Sequence, residues 1–106
     1  MIEVKVFPKK HKIEMTGHAE HDEPGKDVVC AAASMLFYTL AETVSSYPDK
    51  VFERTPYLDS GDKNVVICTP KKEWQSCFDV IYQTILNGLN LLEQHYPDNV
   101  KIIIED

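Results

Sequence analysis

Between positions 16 and 34 the sequence carries residue types that packing alone does not explain. Thr16-Gly17-His18-Ala19 leads through a polar loop to Asp27-Val28-Val29-Cys30-Ala31-Ala32-Ala33-Ser34. Asp27 is a favoured helix N-cap, which would set Cys30 in the first helical turn. Unpaired backbone N–H groups point out of that end, and the helix dipole favours an anion there. A cysteine so placed is easier to ionise, and the thiolate is the nucleophile. An imidazole at His18, where a strand ends and the chain turns back towards the helix, could take the thiol proton. It could later give that proton to a leaving amine. Gly17 would permit a positive φ or the close approach of a substrate backbone. Ser34 lies one turn after Cys30, and its side chain should lean back towards the sulfur.

Plainer readings stand beside each of these. Cys30 among alanines can be a small core residue, and His18 a solvated loop side chain. Gly17 can merely end a strand, Asp27 merely cap a helix, and Ser34 allow close packing. The loop His18-Ala19-Glu20-His21-Asp22-Glu23 offers a metal-binding alternative, but His-x-x-His in a loop fixes no common face. No metal and no cofactor is therefore expected. Cys68 at the end of an apolar strand and Cys77 beside Phe78 read as structural.

The elements around this stretch follow from hydrophobic period. Ile2, Val4 and Val6 alternate with polar residues as one strand, and Ile13 and Met15 as a second, joined by a turn at Phe7-Pro8-Lys9-Lys10-His11. A helix is expected from Asp27, with Ala33, Phe37, Leu40, Ala41 and Val44 on one face, stopping at Tyr47-Pro48. Two strands follow, from Val51 to Leu58 and from Asn64 to Cys68, the second apolar on both faces and so central in the sheet. Thr69-Pro70 reads as the N-cap and first position of a second helix. That helix carries Trp74, Phe78, Ile81, Ile85, Leu89 and Leu92 on one face. Val100 to Ile104 is a last strand. The order ββαββαβ predicts an α/β (α+β) two-layer sandwich: a mixed sheet of about five strands with two helices on one face.

Composition bounds the function classes. A chain of 106 residues supports one domain over 1–106, since halves of this length would hold marginal cores. The net charge of −6 disfavours a nucleic-acid reader, although a local basic patch could hide beneath it, and makes a basic partner the easier expectation. No uninterrupted apolar run approaches the ~20 residues of a spanning helix, so no membrane partner is expected. The opening Met-Ile-Glu-Val-Lys-Val is a strand pattern with no leader, which points to the cytoplasm. Three cysteines without a CxxC pair argue against a disulfide framework or a structural zinc.

Gly-His-Ala at 17 to 19, the loop with Pro24-Gly25, and Asp27-Val28-Val29-Cys30-Ala31-Ala32-Ala33-Ser34 together resemble the ribosomal-processing cysteine protease family, Prp. The resemblance covers essentially the whole chain. It implies a cytoplasmic, homodimeric endopeptidase that removes a short N-terminal extension from large-subunit ribosomal protein 27. Cys30 would be its nucleophile and His18 its general base and acid. Gly17, Asp27 and Ser34 match supporting motif positions. The family's substrate extension is apolar, so an apolar groove is expected beside Cys30, with the loop Ala19 to Lys26 closing over bound peptide. A non-catalytic ribosome-associated binding or assembly module is the alternative. It would be indifferent to loss of either Cys30 or His18.

Overall fold

The computed structural model describes residues 1–18, 22, 27–59 and 63–105, with the side chains of 53–59 excepted. Strand β1 (Ile2–Phe7) buries Ile2, Val4 and Val6 and turns Glu3 and Lys5 outward. A single 3-10 turn, Pro8–Lys10, reverses the chain, and His11 closes it at φ 48°. Strand β2 (Lys12–Thr16) then pairs antiparallel with β1, burying Ile13 and Met15 on the same side. Helix α1 (Val28–Ser45), strands β3 (Val51–Asp59) and β4 (Lys63–Pro70), helix α2 (Gln75–His95) and strand β5 (Val100–Ile104) complete the predicted order. The sheet runs β3-β4-β2-β1-β5, with β5 parallel to β1 and the other pairs antiparallel.

The core lies between the helices and the inward face of the sheet. All five residues of the predicted α1 stripe, Ala33, Phe37, Leu40, Ala41 and Val44, are buried. On α2, Phe78, Ile85 and Leu89 are buried as expected, and Tyr82 joins them. Each large apolar side chain so buried is worth about 1.5–3 kcal/mol. Gly88 lets the helices meet: a Cβ there would come 2.8 Å from Leu36 Cδ2. By length and composition α1 could cross a membrane, but its apolar face is spent on this core.

One boundary differs from the sequence reading. Thr69 and Pro70 do not open the second helix. They extend β4, paired with Glu53 and Val51, and α2 begins only at Gln75 after the 3-10 turn Lys72–Trp74. Strand β4 is hydrogen-bonded on both sides, by β3 and β2, and this ladder outweighs the local capping signal. Pro70 sits at the last strand position, where its missing N–H costs little. Lys71 resumes donation, from its N–H to the carbonyl of Lys50 at 2.9 Å.

Candidate active site

Asp27 has extended backbone angles and caps α1. One carboxylate oxygen, Oδ1, accepts from the N–H of Val29 at 3.0 Å and of Cys30 at 3.1 Å. The other, Oδ2, accepts from the backbone N–H of Asp22 at 3.4 Å, tying the preceding loop to the helix start. The Asp27 carbonyl takes the first helical bond, from Ala31 at 3.1 Å. Asp27 therefore caps α1 through its side chain as the sequence predicts.

Cys30 is half-buried in the first turn and packs against the core. Ser34, also half-buried, follows one turn later on the same flank of α1. Gly17 ends β2 at φ +84°, and a Cβ there would collide with the Met1 carbonyl oxygen. Two independent constraints thus require glycine at this point. His18 comes next and is exposed. The fold brings Asp27, Cys30 and Ser34 onto one helix end and delivers His18 to the same end of the sheet. Of the loop expected to close over bound peptide, Ala19, Glu20, His21, Glu23, Pro24, Gly25 and Lys26 lie outside the described residues. Among the described residues, no group of three or more His, Cys, Asp and Glu is placed to hold a metal.

The cap bears directly on the chemistry. Both N–H groups of Val29 and Cys30 are given to a carboxylate, so the positive end of α1 is already met by a negative charge.

Asn64 was not singled out from the sequence. It is the second residue of β4, opposite Met15 on the side that faces the helices, and its Oδ1 is buried with no hydrogen-bond partner. Such atoms are rare in folded proteins. The signal was available: Asn64 precedes Val66 and Cys68 at period two, and both of those are buried.

An apolar groove of about 450 Å³ runs between α1 and α2, lined by Ala32, Met35, Leu36, Gly88, Leu91 and Leu92 among others. It is not the groove expected beside Cys30. At 100° per residue, Ala32 stands about 200° round the helix from Cys30, on the opposite flank. Helix α1 also packs on β3 and β4. Cys68 is buried, and burial pushes its thiol up from the ordinary range despite the hydrogen bond donated by the Tyr82 hydroxyl at 3.7 Å. Cys77 is exposed on α2, so it is not the packing residue the sequence suggested.

A family model described as cysteine protease Prp matches residues 1–101. The ribosomal processing cysteine protease Prp of Staphylococcus aureus strain Mu50 is 32% identical over 94 residues, covering 83% of this chain and 80% of the relative. A crystal structure of the S. aureus protease with a covalently linked product peptide matches at TM-score 0.80 and 26% identity. It covers 99% of this chain and 100% of that one. A second, with a substrate peptide, shares the fold at TM-score 0.74 and 24% identity, covering 99% and 100% of the two chains.

Proposed function

We propose, from the premise that the chain belongs to the cysteine protease Prp family, that it removes the short N-terminal extension of large-subunit ribosomal protein 27. Membership makes the chain a cysteine-type endopeptidase of ribosomal-protein processing. The particular substrate and the roles of individual residues are our reading of the site. The observation that carries it is a half-buried thiol in the first turn of α1, at the end of the sheet where β2 delivers an exposed imidazole.

His18 takes the Cys30 proton as the sulfur attacks the scissile carbonyl carbon, whose oxygen becomes the oxyanion. The carbon–nitrogen bond then breaks, and His18 returns the proton to the departing amine of the mature protein. The extension remains as a thioester on Cys30. Water, deprotonated by His18, attacks the thioester and frees the extension. A covalently linked product peptide on the S. aureus relative is what this route would leave.

Because Asp27 occupies the N–H groups of Val29 and Cys30, the oxyanion donors lie elsewhere, at the Gly17–His18 strand end or in the loop that follows. Such donors are worth roughly 3–4 kcal/mol each in well-studied cases. Asp27 then holds the helix end and the loop, Gly17 lets the chain turn into the site, and Ser34 lines its floor one turn below the sulfur. The enzyme works as a cytoplasmic homodimer in this reading. Exposed Met35 and Leu91 beside the α1–α2 groove support self-association.

Mass spectrometry tests it on a peptide spanning the extension and its junction, incubated with wild type, Cys30→Ala and His18→Ala. A single cut by wild type alone is expected. An intact peptide with wild type under reducing conditions would overturn this substrate and leave the family activity to be sought on another ribosomal protein.

A further inference from the structure

One polar atom lies where an apolar group would fit. Val4, Met15 and Asn64 form a row across β1, β2 and β4, and Val4 and Met15 are buried. Along β4, Val66 and Cys68 follow Asn64 at period two and are buried as well. Asn64 is the polar member of this apolar face, and its Oδ1 is sealed from solvent with no hydrogen-bond partner. A sealed oxygen without a donor destabilises the fold. Such departures from good packing gather at functional sites.

The atom comes level with Cys30. Helix α1 packs on β4, and the two are tied at their far ends: the carbonyl of Lys50, shortly after α1, accepts from the N–H of Lys71, just past Pro70, at 2.9 Å. The 18 residues of α1 rise about 27 Å, and the 8 of β4 about 26 Å. The first turn of the helix therefore lies over the start of the strand. Cys30 precedes Phe37 by two turns, about 20° away round the helix. Phe37 is buried, and Cys30 packs against the same core. His18 arrives from the neighbouring strand. Met15 and Thr16 pair with Asn64 and Lys63, and Gly17 follows with φ +84°. Strand alternation ends at that glycine, so it does not consign His18 to the outward face. One strand spacing across and three residues along put the His18 and Asn64 Cα atoms about 11 Å apart. The two side chains with one hydrogen bond between them reach about that far.

We propose that Asn64 is a positioning residue: its Oδ1 accepts a ring N–H of His18 whenever the imidazole turns in to meet the Cys30 thiol. The proposal rests on the reading of His18 as general base. A base that takes the thiol proton through one ring nitrogen needs the other held, so that the ring presents the right tautomer and angle. Asp27 is a poorer holder, since its Oδ1 already accepts from Val29 and Cys30 and its Oδ2 from Asp22.

The test compares Asn64→Leu, Asn64→Ala and Asn64→Asp with wild type, each with and without His18→Ala. It reads cleavage of the junction peptide and the rate of Cys30 alkylation by iodoacetamide at pH 7. Asn64→Leu and Asn64→Ala remove the acceptor. Asn64→Leu, similar in size, should keep or raise the urea midpoint, while kcat falls roughly 10- to 100-fold at unchanged KM. Alkylation should slow in the same variants, and Asn64→Asp, which keeps an acceptor, should recover most of both rates. In the His18→Ala background Asn64→Leu should slow alkylation no further, because its effect passes through the ring. Wild-type kcat and alkylation in folded Asn64→Leu or Asn64→Ala overturn the proposal. So does a rise in KM alone, or an Asn64→Leu effect of equal size without His18. These results leave His18 as the base, whereas alkylation untouched by His18→Ala overturns the base assignment and this proposal with it. Alkylation needs no substrate, so it decides the matter even where the junction peptide is not cut.

Discussion

Strand β2 has a histidine just beyond each end, and the two are held in opposite ways. His11, before the strand, takes a left-handed backbone conformation and is mostly buried. Its Nε2 lies 2.6 Å from Asp79 Oδ1, and its ring meets Tyr82 edge-on at 5.5 Å between centroids. Beyond Tyr82 lies the sulfur of Cys68. His18, after the strand, is exposed at the end of the sheet that carries Cys30. Carboxylate, imidazole, phenol and thiol are all present at the first end, but there the imidazole is held by a fixed partner and the thiol is buried. Cys68 is buried and its thiol is pushed towards the neutral form. The tidier constellation is the structural one, fastening the β1–β2 turn to α2. In the proposed mechanism the His18 imidazole exchanges protons with a substrate it has not yet met, and exposure serves that better than a fixed partner.

The broadest way to break this contrast is activity on the junction peptide. Cys30→Ala is expected to lose about 10⁴- to 10⁶-fold in turnover, as removal of a nucleophile does, and His18→Ala about 10²- to 10⁴-fold. His11→Asn, which keeps a side chain tolerant of positive φ, should cleave like wild type and lose about 1 kcal/mol of stability in urea melts. A large activity loss in His11→Asn with normal cleavage by His18→Ala would reverse the assignment of the two ends.

The thiols sharpen the same comparison by a smaller factor. Iodoacetamide followed by peptide mapping should label Cys30 and Cys77 in the native protein. Cys68 should react only through unfolding, slower by the folding equilibrium constant, roughly 10³-fold or more. Native labelling of Cys68 at a rate near that of Cys77 would show that the locked end opens. Next in size is Asp27→Ala, which removes the acceptor of two N–H bonds. Loss of a cap of this kind costs about 1–2 kcal/mol, measured as a shift in the urea midpoint. The same variant frees the Val29 and Cys30 N–H groups, so if either can serve the oxyanion, turnover per folded enzyme will rise rather than fall.

The sequence disclosed the two ends unequally, for physical reasons. Element order, both helix stripes and the Asp27 cap were legible because hydrophobic period and capping are local. The segment at 17 to 34 stood out by its resemblance to a family motif, since glycine, histidine and cysteine taken singly each have a plain packing reading. The His11–Asp79 pair joins residues 68 positions apart, and no local pattern announces it. The Thr69-Pro70 capping signal was real but lost to a ladder made by residues far along the chain. The angular position of the α1–α2 groove needed the helix to be placed on the sheet before it could be told apart from a groove at Cys30.

The smallest expected effect concerns the strand between the histidines. Glu14 projects from β2 away from the helices, with Lys12 Nζ at 2.8 Å and Lys63 Nζ at 3.3 Å from Oε1. Partial burial raises its pKa, but the two lysines more than offset this, and it lies below its ordinary 4.5. A carboxyl depressed on folding stabilises the native state above its unfolded value and loses that contribution as pH falls through its folded value. Glu14→Gln should therefore be less stable than wild type by about 0.5–1 kcal/mol at pH 7. The gap should begin to close as pH drops towards 4.5 and vanish once Glu14 is protonated in the folded protein, as followed by urea melts at pH 7, 5 and 3. Lys63 pairs with Thr16, the residue before Gly17, so the triplet also anchors the strand end from which His18 projects. If β2 acts as a rigid spacer, cleavage at pH 7 will fall only in proportion to the folded fraction. A larger fall, with folding intact, would mean that the exposed histidine owes its position to this ion triplet.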